Sequence, residues 1–156
     1  MNITFEIASK KDIESLVQLR IAYMVADHGS VSEIEKESMK KQLPDYFSRK
    51  LGNELIPFIA RFGTKIVGVA YLHIIEMPAS PSVPHGLRGE VLNVYVDPDF
   101  RRQGIGSRIM SNLVEYARCH ELDRIELSAT QEGSFLYKKV GFVEKVDKYI
   151  PMQIKL

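Results

Sequence analysis

The stretch Val91-Leu92-Asn93-Val94-Tyr95-Val96-Asp97-Pro98-Asp99-Phe100-Arg101-Arg102-Gln103-Gly104-Ile105-Gly106 decides how this chain is read. An apolar, β-branched run stops at Asp97-Pro98, as a strand does. After it, Ile105, Ile109, Leu113 and Ala117 fall in line, with Met110 and Val114 beside them. Residues 104–118 are therefore the clearest amphipathic helix in the chain. Amides at a helix start have no intrahelical partner, and with the helix dipole they make an anion site. Glycine at 104 and 106 leaves out two Cβ atoms, so a phosphate can approach the backbone closely. Each charge-assisted bond contributes about 1.5–3 kcal/mol, so several amides from residues 103–107 suffice to hold a pyrophosphate. The pattern is R-x-x-G-x-G, from Arg101 to Gly106. A P-loop would need Lys-Ser or Lys-Thr after Gly106, and a dinucleotide site a third glycine where Ile109 stands. Taken alone, a helix start that merely needs a glycine would look the same.

Upstream, residues 3–8 alternate Ile3, Phe5 and Ile7 with Thr4 and Glu6, which predicts a half-buried strand. Ser9 and Asp12 form a capping box before Ile13, Leu16, Val17, Ile21 and Met24 at helical spacing. That helix breaks at His28-Gly29-Ser30. A second box, Ser32 to Glu35, opens a helix with Met39, Leu43, Phe47 and Leu51 on one stripe, which Pro44 is expected to bend or interrupt. Residues 55–62 and 65–76 read as a hairpin around Gly63-Thr64. Residues 77–89, with three prolines and two glycines, read as a long loop before a strand at 90–96. Downstream, residues 124–129 predict a short strand and residues 134–140 a short helix closed by Gly141. Residues 143–155 predict one or two last strands. The order β-α-α-β-β-β-α-β-α-β(-β) predicts an α/β fold, a mixed sheet with helices on both faces.

The 156 residues suit one domain over 1–156. Apolar residues at 45% and charged residues at 26% describe a globular chain, not a disordered one. With 21 basic against 20 acidic residues, the chain lacks the basic footprint of a nucleic-acid binder. The lone Cys119 excludes an internal disulfide framework, and the four histidines show no metal spacing. No apolar run approaches the ~20 residues of a membrane span, and the start does not read as a signal peptide. The expectation is a cytoplasmic protein with no membrane partner.

Residues 93–106 resemble the acetyl-CoA-binding motif of the GCN5-related N-acetyltransferases, or GNAT family. Gly133-Ser134-Phe135-Leu136-Tyr137-Lys138-Lys139-Val140-Gly141-Phe142 resembles that family's second motif, a helix carrying Leu-Tyr that ends at Gly-Phe. The resemblance is specific over residues 90–142 and rests on element order before that. It implies a mixed, mostly antiparallel sheet of six to seven strands flanked by about four helices. It also implies acetyl transfer from acetyl-CoA to a primary amine, on a small molecule or a peptide. No metal is implied, and the resemblance allows a homodimer.

Residue by residue, the resemblance places Val94, Tyr95 and Val96 along the pantetheine arm. It places the pyrophosphate on Arg101, Arg102, Gln103, Gly104, Ile105, Gly106 and Ser107. Tyr137 matches the tyrosine that protonates the departing sulfur; a phenol near pKa ~10 can serve a thiol near ~8.5. Glu90 stands where some lysine-acetylating members carry a general base. Its plain reading is a carboxylate at a strand edge. His85 is the alternative base, though a solvated loop histidine is the simpler reading. Where many members carry an asparagine seven residues before the tyrosine, this chain has Thr130. The acceptor is expected between residues 22–33, the 77–89 loop and Glu90. A CoA-binding sensor without turnover, and a nucleotide-binding regulatory domain, also fit the glycine turn.

Overall fold

The computed structural model describes residues 2–156. Strands β2 (Leu55–Phe62) and β3 (Lys65–Glu76) are apolar almost throughout, because both of their faces are covered. Ile56, Phe58, Ala60, Val67 and Leu72 point to one side, where Ile105, Ile109, Met110 and Leu113 of α3 (Ile105–Cys119) close a core. Leu55, Ile59, Ile66, Val69 and Tyr71 point to the other, against Leu16 and Val17 of α1 (Ile13–His28) and Leu43 and Phe47 of α2 (Glu33–Lys50).

The sheet runs β1-β2-β3-β4-β5, with β1 at Ile3–Ile7, β4 at Leu87–Val96 and β5 at Arg124–Glu126. The first four strands pair antiparallel, and α3 carries the chain over to a parallel β4–β5 pair. Helix α4 (Ser134–Val140) ends at Gly141, whose φ of 115° supports the left-handed cap.

Four expectations change. The sheet has five strands, not six to seven. Residues 143–155 contain no strand: their alternating pattern is present, but no neighbouring strand supplies hydrogen bonds. Strand β4 starts at Leu87, because Asp123 accepts the Leu87 and His85 amides and draws the loop's end into the sheet. Helix α2 passes through Pro44 without interruption; Leu43 and Phe47, on either side of it, are both buried and tie the two halves to one core.

Among the described residues, no helix is long and apolar enough to cross a membrane.

Candidate active site

The site begins with a parting of strands. Strands β4 and β5 are paired only from Arg88–Arg124 to Glu90–Glu126. Beyond Glu90, β4 continues for six residues with no partner on that side. A β-bulge bends it there. Tyr71 pairs with Leu92 and Val69 with Tyr95, so three steps on β4 match two on β3. Asn93 takes up the extra residue at φ 57°, a conformation asparagine tolerates better than branched residues do. The resulting fork opens into a cleft of about 740 Å³.

At the foot of the fork the chain turns through Arg102 at φ 63° and Gly104 at φ 77°, then enters α3. The amides from Arg102 to Ser107 find no backbone acceptor among the described residues. They form the donor array expected of an anion site. The two glycines serve different needs. A Cβ at Gly104 would meet no protein atom within 4 Å, so its requirement is the left-handed backbone together with open space. A Cβ at Gly106 would lie 3.3 Å from Leu136 of α4, so this glycine also lets α4 pack against α3. Arg101 braces the turn: its Nε donates to the Val96 carbonyl at 2.8 Å, and its guanidinium lies over the Tyr95 ring. Arg102 is exposed and makes no ion pair among the described residues.

Val94, Tyr95, Val96, Arg101, Arg102, Gly104, Ile105, Gly106, Ser107 and Thr130 line the cleft; Gln103 does not. Ile105 is buried in the core, so only its backbone is available to a ligand. The Thr130 hydroxyl oxygen accepts from the Gly133 amide at 3.0 Å and so shapes the turn before α4, alongside any contact it makes in the cleft.

Tyr137 of α4 and Glu90 of β4 both line the cleft. The Tyr137 ring is half-buried and meets Phe142 edge-on. Burial first, and the neighbouring Tyr23 second, push its phenol above the ordinary tyrosine range. Tyr137 is therefore a neutral phenol at physiological pH.

The third wall was only partly anticipated. Arg20, Tyr23, Met24, Ala26 and Asp27 of α1 line the cleft. Residues 77–86 and α2 do not line it. His85 pairs with Asp123, its Nδ1 2.7 Å from the carboxylate, and is not among the residues that line the cleft. Arg20 donates to the Asn93 Oδ1 at 3.2 Å and makes no ion pair among the described residues. The Asn93 Nδ2 and the Tyr71 hydroxyl are buried without a partner. The sequence carried no periodic signal for this group, because it depends on how α1 lies across the bulge.

The sequence profile of the acetyltransferase (GNAT) family matches residues 15–142. This chain belongs to the GNAT family of acetyltransferases. Among solved structures, a predicted acetyltransferase with acetyl-CoA from Clostridium acetobutylicum is 29% identical, with a TM-score of 0.83 over 97% of this chain and 96% of that one. A GCN5-related N-acetyltransferase from Ralstonia eutropha shares the fold at 23% identity, with a TM-score of 0.78 over 97% and 99% of the two chains. In sequence, 60 residues are 40% identical to glucosamine 6-phosphate N-acetyltransferase 1 of Oryza sativa, covering 38% of this chain and 36% of that enzyme. An uncharacterized N-acetyltransferase of Methanocaldococcus jannaschii matches over 36% of this chain and 26% of its own length, at 37% identity.

Proposed function

We propose that this acetyltransferase uses acetyl-CoA to acetylate a primary amine by direct attack on the thioester. The observation that carries this reading is the run of unpaired amides from Arg102 to Ser107 at the foot of the fork, with a protonated Tyr137 facing the same cleft. The amides and Arg102 suit a pyrophosphate. The open edge of β4 at residues 94–96 suits an amide-bearing arm running up toward Glu90, although the Val96 carbonyl is already engaged by Arg101.

The attacking amine must be neutral. For a lysine-like amine of pKa ~10.4, losing its proton at pH 7 costs about 4.6 kcal/mol; for an α-amine near 7.7 the cost is about 1 kcal/mol. Glu90 takes that proton, directly or through water. The N–C bond forms as the C–S bond breaks. Tyr137 gives its proton to the departing sulfur and regains one from solvent.

On the acceptor side, Arg20 is a donor without an acidic partner, and Asp27 supplies a negative charge further along α1. This pairing favours an amine that carries a carboxylate or phosphate of its own. Calorimetry with CoA, followed by thiol release across a panel of amines, tests the reading. An absence of binding heat with both acetyl-CoA and CoA would end it.

A further inference from the structure

Acetyl transfer in this fork loads charge onto three atoms. Glu90 answers the first, the attacking nitrogen with its proton, and Tyr137 the second, the departing sulfur. The third is the carbonyl oxygen of the thioester. Negative charge gathers on it as the N–C bond forms and leaves it as the C–S bond breaks. A donor aimed at that oxygen is usually the largest single electrostatic contribution to acyl transfer. The oxygen and the sulfur share one carbon, so the donor must be a close neighbour of Tyr137.

Tyr23 of α1 is that neighbour. It lines the same cleft, and among the described residues it is the one ionisable group whose charge bears on the Tyr137 phenol. Its place follows from the helix. Arg20, Tyr23 and Asp27 stand at i, i+3 and i+7, on one face of α1, and all three line the cleft. Arg20 ties that face to the forked strand through Asn93 Oδ1 at 3.2 Å, and its guanidinium lies 5.9 Å from the centroid of the Tyr23 ring. The ring is thus backed by a cation that is itself anchored on the β4 bulge. Tyr23 is half-buried, and its hydroxyl has no hydrogen-bond partner among the described residues. Burial first, then the Asp27 carboxylate, hold its phenol above the ordinary tyrosine range against the opposing pull of Arg20. Tyr23 therefore keeps its proton at physiological pH and is free to donate it in a hydrogen bond.

We propose that Tyr23 is a further catalytic residue: its hydroxyl donates to the carbonyl oxygen of the bound thioester and stabilises the charge that builds there during attack. This rests on the acetyl-CoA reading of the cleft. The proton balance closes around it. The nitrogen's proton goes to Glu90, the sulfur receives one from Tyr137, and Tyr23 keeps its own throughout. Arg20, the other donor on this face of α1, is already engaged by Asn93. Two phenols, one from α1 and one from α4, thus do different work on one thioester: Tyr137 transfers a proton and Tyr23 only shares one.

Tyr23→Phe removes the hydroxyl and keeps the ring beside Arg20. Turnover should fall about 10²- to 10³-fold, the usual loss for one such donor, with calorimetric affinity for acetyl-CoA nearly unchanged. Infrared difference spectra of acetyl-CoA, isotope-labelled at the thioester carbonyl and bound without an acceptor, read the hydrogen bond directly. In the wild type the bound carbonyl stretch should lie below that of free acetyl-CoA. In Tyr23→Phe it should return toward the free value. In Tyr137→Phe it should stay low although turnover is lost. A change in packing alone does not produce this division. Full turnover in Tyr23→Phe overturns the proposal. So does a bound carbonyl stretch equally low in wild type and Tyr23→Phe, or a wild-type stretch equal to that of free acetyl-CoA. A wild type that binds no acetyl-CoA gives no bound band at all; that separate result removes the acetyl-CoA reading and this proposal with it.

Discussion

Arg20 of α1 donates through Nη1 to the Asn93 Oδ1 at 3.2 Å, and Asn93 is the residue that bulges β4. This bond orients the amide, so that the buried Nδ2 faces away from Arg20 with its protons unclaimed. Arg20 is thus the cationic donor that α1 brings to the cleft. Arg20→Met is expected to raise KM about 10- to 100-fold for amines bearing a carboxylate or phosphate, the range for a lost hydrogen bond to a charged group. It should leave CoA affinity and the KM of uncharged amines nearly unchanged. Equal losses across both amine classes would contradict the assignment.

Tyr137→Phe removes one oxygen from a half-buried ring and leaves the amide array untouched. Turnover should fall about 10²- to 10⁴-fold, the usual contribution of a positioned acid. Calorimetry should still show CoA binding. Tyr137 acts while protonated, and burial raises its pKa, so the alkaline fall in wild-type kcat should lie above the ordinary tyrosine range. Unchanged turnover in the variant would remove Tyr137 from the mechanism.

The two glycines of the turn separate binding from packing. At Gly104 the backbone has φ 77°, where a branched residue is strained whatever the space around it. Gly104→Val should abolish measurable CoA binding by distorting the amides. At Gly106 an added Cβ would press on Leu136 at 3.3 Å, so Gly106→Ala should shift α4 and Tyr137 by a few tenths of an ångström. Its signature is a lowered kcat with CoA affinity reduced far less than in Gly104→Val.

These contrasts bear on what a sequence can reveal. The glycine turn was legible because its requirement is local: Gly104 must adopt a conformation that its neighbours on the chain dictate. The amphipathic α3 was legible for the same kind of reason. The bulge at Asn93 was not, since its position is set by pairing with β3, and a lone asparagine in a strand gives no hint of φ 57°. Tyr23 and Asp27 fall within the residues 22–33 expected near the acceptor, but Arg20 was missed, because it reaches Asn93 only once α1 crosses the sheet. Residues 143–155 have a strand's alternation, but a strand also needs an edge to pair with, and periodicity does not say whose.

Away from the cleft, Asp12 joins the start of α1 to the sheet. Its carboxylate accepts from the Ser9 amide at 3.0 Å and from Arg61 at 3.1 Å, and Arg61 also binds Glu6. Burial alone would raise the Asp12 pKa; the Ser9 amide and Arg61 outweigh it and hold it below its ordinary 3.8. With the folded value depressed, the stabilisation is fully present above the unfolded pKa and is lost as pH falls through the folded one. Asp12→Asn should cost about 1.5–3 kcal/mol at pH 7 in urea unfolding and much less at pH 2. The same penalty at both pH values would rule out the ionic contribution.

Glu90 sits where β4 and β5 part, its β-ladder partners being His73 on one side and Glu126 on the other. If it takes the amine's proton, its value to the reaction depends on how tightly the acceptor holds that proton. Glu90→Gln keeps the shape of the side chain and removes the base. For a lysine-like acceptor the variant should lose about 10²- to 10⁴-fold in kcat/KM at pH 7. The deficit should shrink steadily as pH rises toward the acceptor's own pKa, because solvent then does the work Glu90 did. For an α-amine near pKa 7.7 the deficit should already be small at pH 8. Asp27→Asn makes the contrast: a carboxylate that only attracts the ammonium form should raise KM and leave the pH dependence of kcat alone. A Glu90→Gln deficit independent of both pH and acceptor pKa would assign Glu90 to positioning rather than to proton transfer.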